Sequence, residues 1–145
     1  MSFRSGRPSL SLLQGAMSLL ANGNPFEARK ILSGSVHGAG YDTQFYALYG
    51  TVLLACGEEM NAGRFLFLSG VRTPETLPCI QRFILSKHDP SNFRQLHSSF
   101  PRCARSIGKI SLFPPIVRQE LKELGFPDSI QEFFIQRKRL KSEKA

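Results

Sequence analysis

Apolar residues recur at helical spacing along most of the chain. Leu12, Leu13, Ala16, Leu19 and Leu20 fall on one face of a helix and predict a first helical element. Ser11 with Gln14 three residues on reads as a capping box. Gly23 suits the left-handed position past a helix end, and Asn24-Pro25 then caps and opens a second helix to about Ser33. The pattern repeats. Thr43 reads as the cap of a helix through Phe45, Leu48, Tyr49, Val52 and Leu53, Gly57 ends it, and Met60 to Ser69 forms its partner. Thr73-Pro74-Glu75 opens a third pair by the same cap-then-proline logic. Arg64 to Leu68 is a short apolar run that a buried strand also tolerates. Its place after Gly57 and around Ala62 favours helix.

The recurrence is a sequence repeat. Leu19, Leu20, Ala21, Gly23 and Ala28 reappear in the same order and at the same spacing as Leu53, Leu54, Ala55, Gly57 and Ala62. A third, weaker copy follows at a slightly shorter offset, where Asp89-Pro90 answers Asn24-Pro25. Beyond Phe100-Pro101 the pattern changes. Residues 102–113 read as a loop or short irregular piece. Pro114-Pro115 starts a helix through Leu124 that Gly125 ends, and Asp128 with Gln131 caps a last helix whose apolar side is Ile130, Phe133, Phe134 and Ile135.

These copies resemble tetratricopeptide repeats, in period as well as in pattern. The large and small positions of that family read Tyr46, Tyr49-Gly50, Leu53, Ala62, Leu66 and Pro74 in the second copy, and Leu12, Gly15-Ala16, Leu19, Ala28 and Leu32 in the first. Small residues at Ala16, Gly50, Ala28 and Ala62 let paired helices approach closely. The third copy departs, with Phe93 where a small residue belongs and His97 where a large apolar one does. Residues 62–70 are also similar to a family of uncharacterised small bacterial helical proteins. The expectation is an all-α protein: a short tetratricopeptide-like array of antiparallel helix pairs over residues 9–100, a C-terminal helical cap over 101–136 and a basic, disordered tail over 137–145, all in one domain. The resemblance further implies a groove along the first helices, holding an extended peptide or a partner's helix. Its residues here would be Leu13, Met17, Gln44, Ala47, Thr51, Glu75 and Arg82. Leu13 and Met17 stand where some members carry Lys and Asn for a carboxylate-ended peptide, so that mode is not expected. The same residues could instead pack a closed bundle.

Charge adds a second theme. The chain of 145 residues carries 19 Lys and Arg against 11 Asp and Glu, a formal net charge of +8. Residues 1–89 are near neutral. Residues 90–119 hold Arg94, Arg102, Arg105, Lys109 and Arg118 and no Glu or Asp. Residues 120–136 are acidic, and Arg137, Lys138, Arg139, Lys141 and Lys144 face only Glu143 in the tail. The basic surface is assigned to Arg94, Arg102, Arg105, Lys109, Arg137, Lys138 and Arg139. Such an excess attracts acidic proteins, nucleic acid or anionic lipid. Phe93 and Phe100 interleave with these cations, as a surface that stacks bases would require. They also lie seven positions apart, at core spacing on a helix.

Candidate chemistry is sparse. Cys56, Cys79 and Cys103 form no close-spaced pair, which disfavours disulfide scaffolds and zinc sites and suits a reducing cytoplasm. No motif joins Cys103 to His97 as a nucleophile and base. The Gly34 to Gly40 stretch lacks the strand, helix and lysine of a phosphate loop. Glu58-Glu59 sits in a turn, where it complements a helix N-terminus. No apolar run reaches the roughly 18 residues of a membrane span, and the N-terminus lacks the apolar core of a secretory signal. The expected function is a non-enzymatic module, without cofactor or metal, that docks another protein with an acidic surface. A specific form is an immunity- or antitoxin-like protein. The alternative is a small nucleic-acid-binding protein using the basic C-terminal third.

Overall fold

The structure, a computed structural model, describes residues 9–144. The N-terminal segment Met1 to Pro8, and Ala145 of the expected tail, lie outside the described residues. Nine α-helices follow one another among the described residues: α1 (Leu10–Ala21), α2 (Pro25–Ser33), α3 (Thr43–Ala55), α4 (Glu59–Ser69), α5 (Leu77–Lys87), α6 (Phe93–Ser98), α7 (Arg102–Arg105), α8 (Pro115–Glu123) and α9 (Ile130–Lys144). A 3₁₀ turn at Ile110–Leu112 precedes α8. No β-strand forms among the described residues, and the only bridges are isolated ones, Asp89 with Asn92 and Lys109 with Ser129. The protein is all-α, and adjacent helices pack as pairs: α1 on α2, α3 on α4 and α4 on α5. The apolar run at Arg64 to Leu68 is helical, inside α4.

The sequence repeat is also a repeat of hydrogen bonds. Past α1, the Gly23 amide donates to the Leu20 carbonyl at 3.1 Å and the Asn24 amide to Leu19 at 2.8 Å. Past α3, Gly57 donates to Leu54 at 3.0 Å and Glu58 to Leu53 at 3.0 Å. Both glycines are left-handed, with φ of 78° and 84°, as this helix ending requires. The partner helices then open alike, Ala28 donating to Asn24 and Ala62 to Glu58.

Caps differ by a residue or two from expectation. Ser9, not Ser11, caps α1, its hydroxyl accepting from the Leu12 amide at 3.1 Å. Asp42, not Thr43, caps α3 and accepts from Phe45 at 2.9 Å. Ser129, not Asp128, caps α9. Thr73 to Thr76 form a turn tied by their hydroxyls, and α5 begins only at Leu77. In the third copy the helix starts after Asn92 rather than at Pro90, because the Asp89 carboxylate is taken by the Ser91 amide and hydroxyl. The stretch 102–113 contains the single-turn α7 and the 3₁₀ turn. The stretch assigned to a basic tail continues α9 through Lys144. Its Arg, Lys and Leu are strong helix formers, so nothing local stops the helix that Ile130 begins.

Two kinds of packing hold these helices. Between α3, α4 and α5 the backbones nearly touch. A Cβ at Gly50 would stand 2.6 Å from Leu66 Cγ, and one at Gly63 would stand 2.3 Å from the Cys79 carbonyl oxygen and 2.8 Å from Phe83 Cβ. Towards the C-terminus, rings fill the space instead. Phe93 packs at 4.8 Å from Phe126 and 4.9 Å from Phe133, and Phe100 stacks on Phe126 at 6.0 Å, centroid to centroid. This explains the departures in the third copy. Phe93 and His97 are buried, and they meet α9 through Phe133 and Phe134.

Arg72 ties the two parts together. Its guanidinium pairs with Glu120 of α8 at 2.6 Å and donates to the carbonyls of Leu66, Phe67 and Val71 at the end of α4. It also lies over the Phe67 ring, 5.3 Å from the centroid. Only a tenth of its side chain is exposed, so the carbonyls and the carboxylate replace the water it gave up.

Candidate functional site

The feature that stands out on the surface is a cleft of about 700 Å³ where the loop after α2, helices α4 and α5, and the α6–α7 segment meet. Tyr49, Phe65, Phe83 and Phe100 line its floor and are all buried. Arg64, Lys87, Arg102 and Arg105 line it as well, with His37, and no Asp or Glu does. None of these four cations takes part in an ion pair among the described residues.

Local structure places each of them. Arg64 comes from α4, on the face that also carries Asn61 three residues earlier. Its guanidinium lies over Phe65, 4.9 Å from the ring centroid, and one terminal nitrogen reaches the Ser99 carbonyl at 3.4 Å. Its Nε is buried without an acceptor, and burial draws its pKa below the ordinary value. Lys87 is the last residue of α5, where a cation meets the negative end of the helix. Pro101 precedes α7, and Arg102 and Arg105 sit three apart on that turn, hence on one side of it. Both are exposed. The Cys103 thiol between them reaches the His37 carbonyl at 3.7 Å, joining α7 to the glycine-rich loop. That loop forms one wall of the cleft through Val36 and His37.

Four cations gathered without a counter-charge repel one another. Arg102 and Arg105 are exposed and take no part in the core, so packing does not explain the arrangement. What it can do is hold an anion. The guanidiniums present forked donors that suit planar or tetrahedral oxyanions.

The seven residues assigned to a groove are not gathered in this way. Met17, Gln44, Thr51, Glu75 and Arg82 are exposed, and Leu13 and Ala47 half-buried. Gln44 lines a separate cleft beside Leu112 and Pro114, and Arg82 another beside Glu58 and Met60. Arg82 is also paired to Glu59 at 2.6 Å. Thr51 returns its hydroxyl to the Ala47 carbonyl at 2.8 Å.

The residues assigned to a basic surface divide. Arg102 and Arg105 enter the cation-lined cleft. Arg94 is half-buried and bonds its own cap, Asn92, at 2.8 Å. Lys109 lines a small cleft with Lys122 and Asp128, and Lys138 one beside Arg105 and Phe134. Arg137 and Arg139 lie along α9. Phe93 and Phe100 are 8% and 2% exposed, so their faces are spent in the core and offer no stacking platform. Arg64 and Lys87 were missed from sequence because they fall in the near-neutral first part. The signal for Arg64 was there: a lone cation inside the otherwise apolar run of α4.

Among the described residues no group of three or more His, Cys, Asp or Glu side chains could hold a metal ion, and no helix is long and apolar enough to cross a membrane. No protein-family model, curated protein or solved structure matches the chain.

Proposed function

We propose that this protein is a non-enzymatic interaction module of tetratricopeptide-like build that docks an acidic segment of a partner protein. The observation that carries this reading is the cleft of Arg64, Lys87, Arg102 and Arg105, four cations without an acid among the lining residues. The packed helix pairs, with their matching turns at Gly23 and Gly57, support the scaffold half of the reading. An immunity- or antitoxin-like role, with a toxin as the partner, is its narrowest form.

A short fluorescent peptide rich in Asp and Glu tests it. Binding followed by anisotropy should weaken as salt rises, since exposed charges are screened within about 8 Å at physiological ionic strength. Arg102→Glu with Arg105→Glu should weaken it at least about tenfold, as loss of charge-assisted bonds does, with an unchanged melting curve. If Leu13→Arg or Thr51→Arg abolishes binding and the arginine pair does not, the partner lies along the first helices instead. The second reading, nucleic acid, draws support from the cations that α9 carries beyond Gln136. A single-stranded RNA that binds more tightly than the acidic peptide would establish it.

A further inference from the structure

Beyond its general charge, the cleft has a composition that selects among anions. Three of its four cations are arginines, and they come from two separate elements, α4 and α7, with Lys87 from a third. Arg64 is held in place by the Phe65 ring and the Ser99 carbonyl, so its fork is oriented before any ligand arrives. Arg102 and Arg105 are exposed on a turn that Pro101 starts and that Cys103 ties to the His37 carbonyl. A lone carboxylate brings one negative charge and two oxygens in a plane. Cations arriving from three elements leave most of their charge unmet by it. A phosphate monoester brings between one and a half and two negative charges at neutral pH and three acceptor oxygens pointing in different directions. It can accept from several of these side chains at once.

We propose that the cleft recognises a phosphate monoester on the docked segment of the partner, with Arg64 as the fixed anchor and Arg102 and Arg105 as the exposed clamp. The inference rests on the reading of the cleft as the docking site for an acidic protein segment. It narrows that partner to one carrying phosphoserine or phosphothreonine. Arg102 and Arg105 decide specificity because they are free to close on the group. Arg64 contributes orientation, because part of its donor capacity is already committed.

Three versions of one short fluorescent peptide test this, with a central serine, phosphoserine or glutamate in a mildly acidic frame. Binding to the full chain is read by anisotropy at physiological salt. The phosphoserine peptide should bind at least about tenfold more tightly than the serine peptide and clearly more tightly than the glutamate peptide, as expected for bidentate arginine contacts. Inorganic pyrophosphate should displace it at millimolar concentration. Arg102→Ser with Arg105→Ser should remove the phosphate preference while the thermal melt stays unchanged, and Arg102→Lys with Arg105→Lys should restore only part of it. If the glutamate and phosphoserine peptides bind equally, the phosphate inference is overturned and the acidic-segment reading stands. If no peptide binds above the level of the double-serine variant, both fall. If a single-stranded RNA of equal charge displaces the phosphoserine peptide at a lower concentration than pyrophosphate does, the site belongs to nucleic acid and the inference is overturned.

Discussion

The helices α3, α4 and α5 and the region from α6 to α9 solve the same packing problem in opposite ways. In the first, glycines clear the contact: Gly50 makes room for the Leu66 side chain, and Gly63 lets α4 close on the Cys79 carbonyl and Phe83 of α5. In the second, short helices cannot align long faces. Rings from α6, from the link to α7, from the turn after α8 and from α9 meet in one cluster around Phe93, Phe100 and Phe126. One of these close contacts belongs to the repeat, Gly50 standing where the first copy has Ala16; Gly63 stands where it has Arg29. Ring clusters tolerate irregular connections, and the irregular third copy uses one.

This contrast can be broken from either side. The largest effect is expected for Phe126→Ala, which removes the ring shared by Phe93 and Phe100 and leaves a cavity. A loss of about 3–4 kcal/mol is expected, measured by urea unfolding, with the α6–α9 amides losing hydrogen-exchange protection before those of α4. Next comes Gly63→Ala. The added methyl meets the Cys79 carbonyl and the Phe83 Cβ, neither of which can swing away. A loss of about 2–3 kcal/mol is expected, spread over α4 and α5. A nearly neutral Gly63→Ala would show that the two helices can move apart freely.

Glu120→Gln probes the seam between the regions. Arg72 keeps its carbonyl partners, and Glu120 is about a third exposed, so a loss of about 2 kcal/mol is expected. Loss of cooperativity, with two unfolding transitions in place of one, would mark Arg72 as the element that joins them.

The smallest effect is a pH dependence. His97 is 8% exposed and ringed by Phe93, Phe100, Phe126 and Phe134. Burial lowers its pKa below the ordinary 6.5, a contact with the Arg105 backbone opposes this, and the nearby Arg105 charge lowers it further. The folded state therefore binds fewer protons than the unfolded chain below that pH. Stability is fully present above pH 6.5 and is lost as pH falls through the window beneath it. His97→Leu should flatten that part of a plot of melting temperature against pH, and a slope identical to that of the parent protein would assign the loss to other groups.

Much of the fold was legible in the residues. The helix pairs, the turns at Gly23 and Gly57 and the start of α8 at Pro115 follow from local rules: periodicity, left-handed glycine, proline at a first turn. Cap identities were less legible. Ser9 and Ser11, or Asp42 and Thr43, are equally able locally, and packing of the helix body decides which lies at its end. The cleft was half legible. Arg102 and Arg105 stood out because their stretch contains no Glu or Asp. Arg64 and Lys87 did not, because net charge along a sequence averages over neighbours that do not share a surface. Phe93 and Phe100 were ambiguous between a stacking platform and core, and burial assigns them to core.

The all-helical class, the pairing of helices and the recurrence of one turn at Gly23 and Gly57 were written in the order of residues alone. These depend on interactions within a few residues and on small side chains at fixed positions. The folded chain added what that order left open. The third copy closes on α9 through rings, and the stretch from Arg137 onward continues a helix. Four cations from α4, α5 and α7 surround one cleft. Those outcomes depend on which faces meet across long stretches of chain, and periodicity carries no information about that.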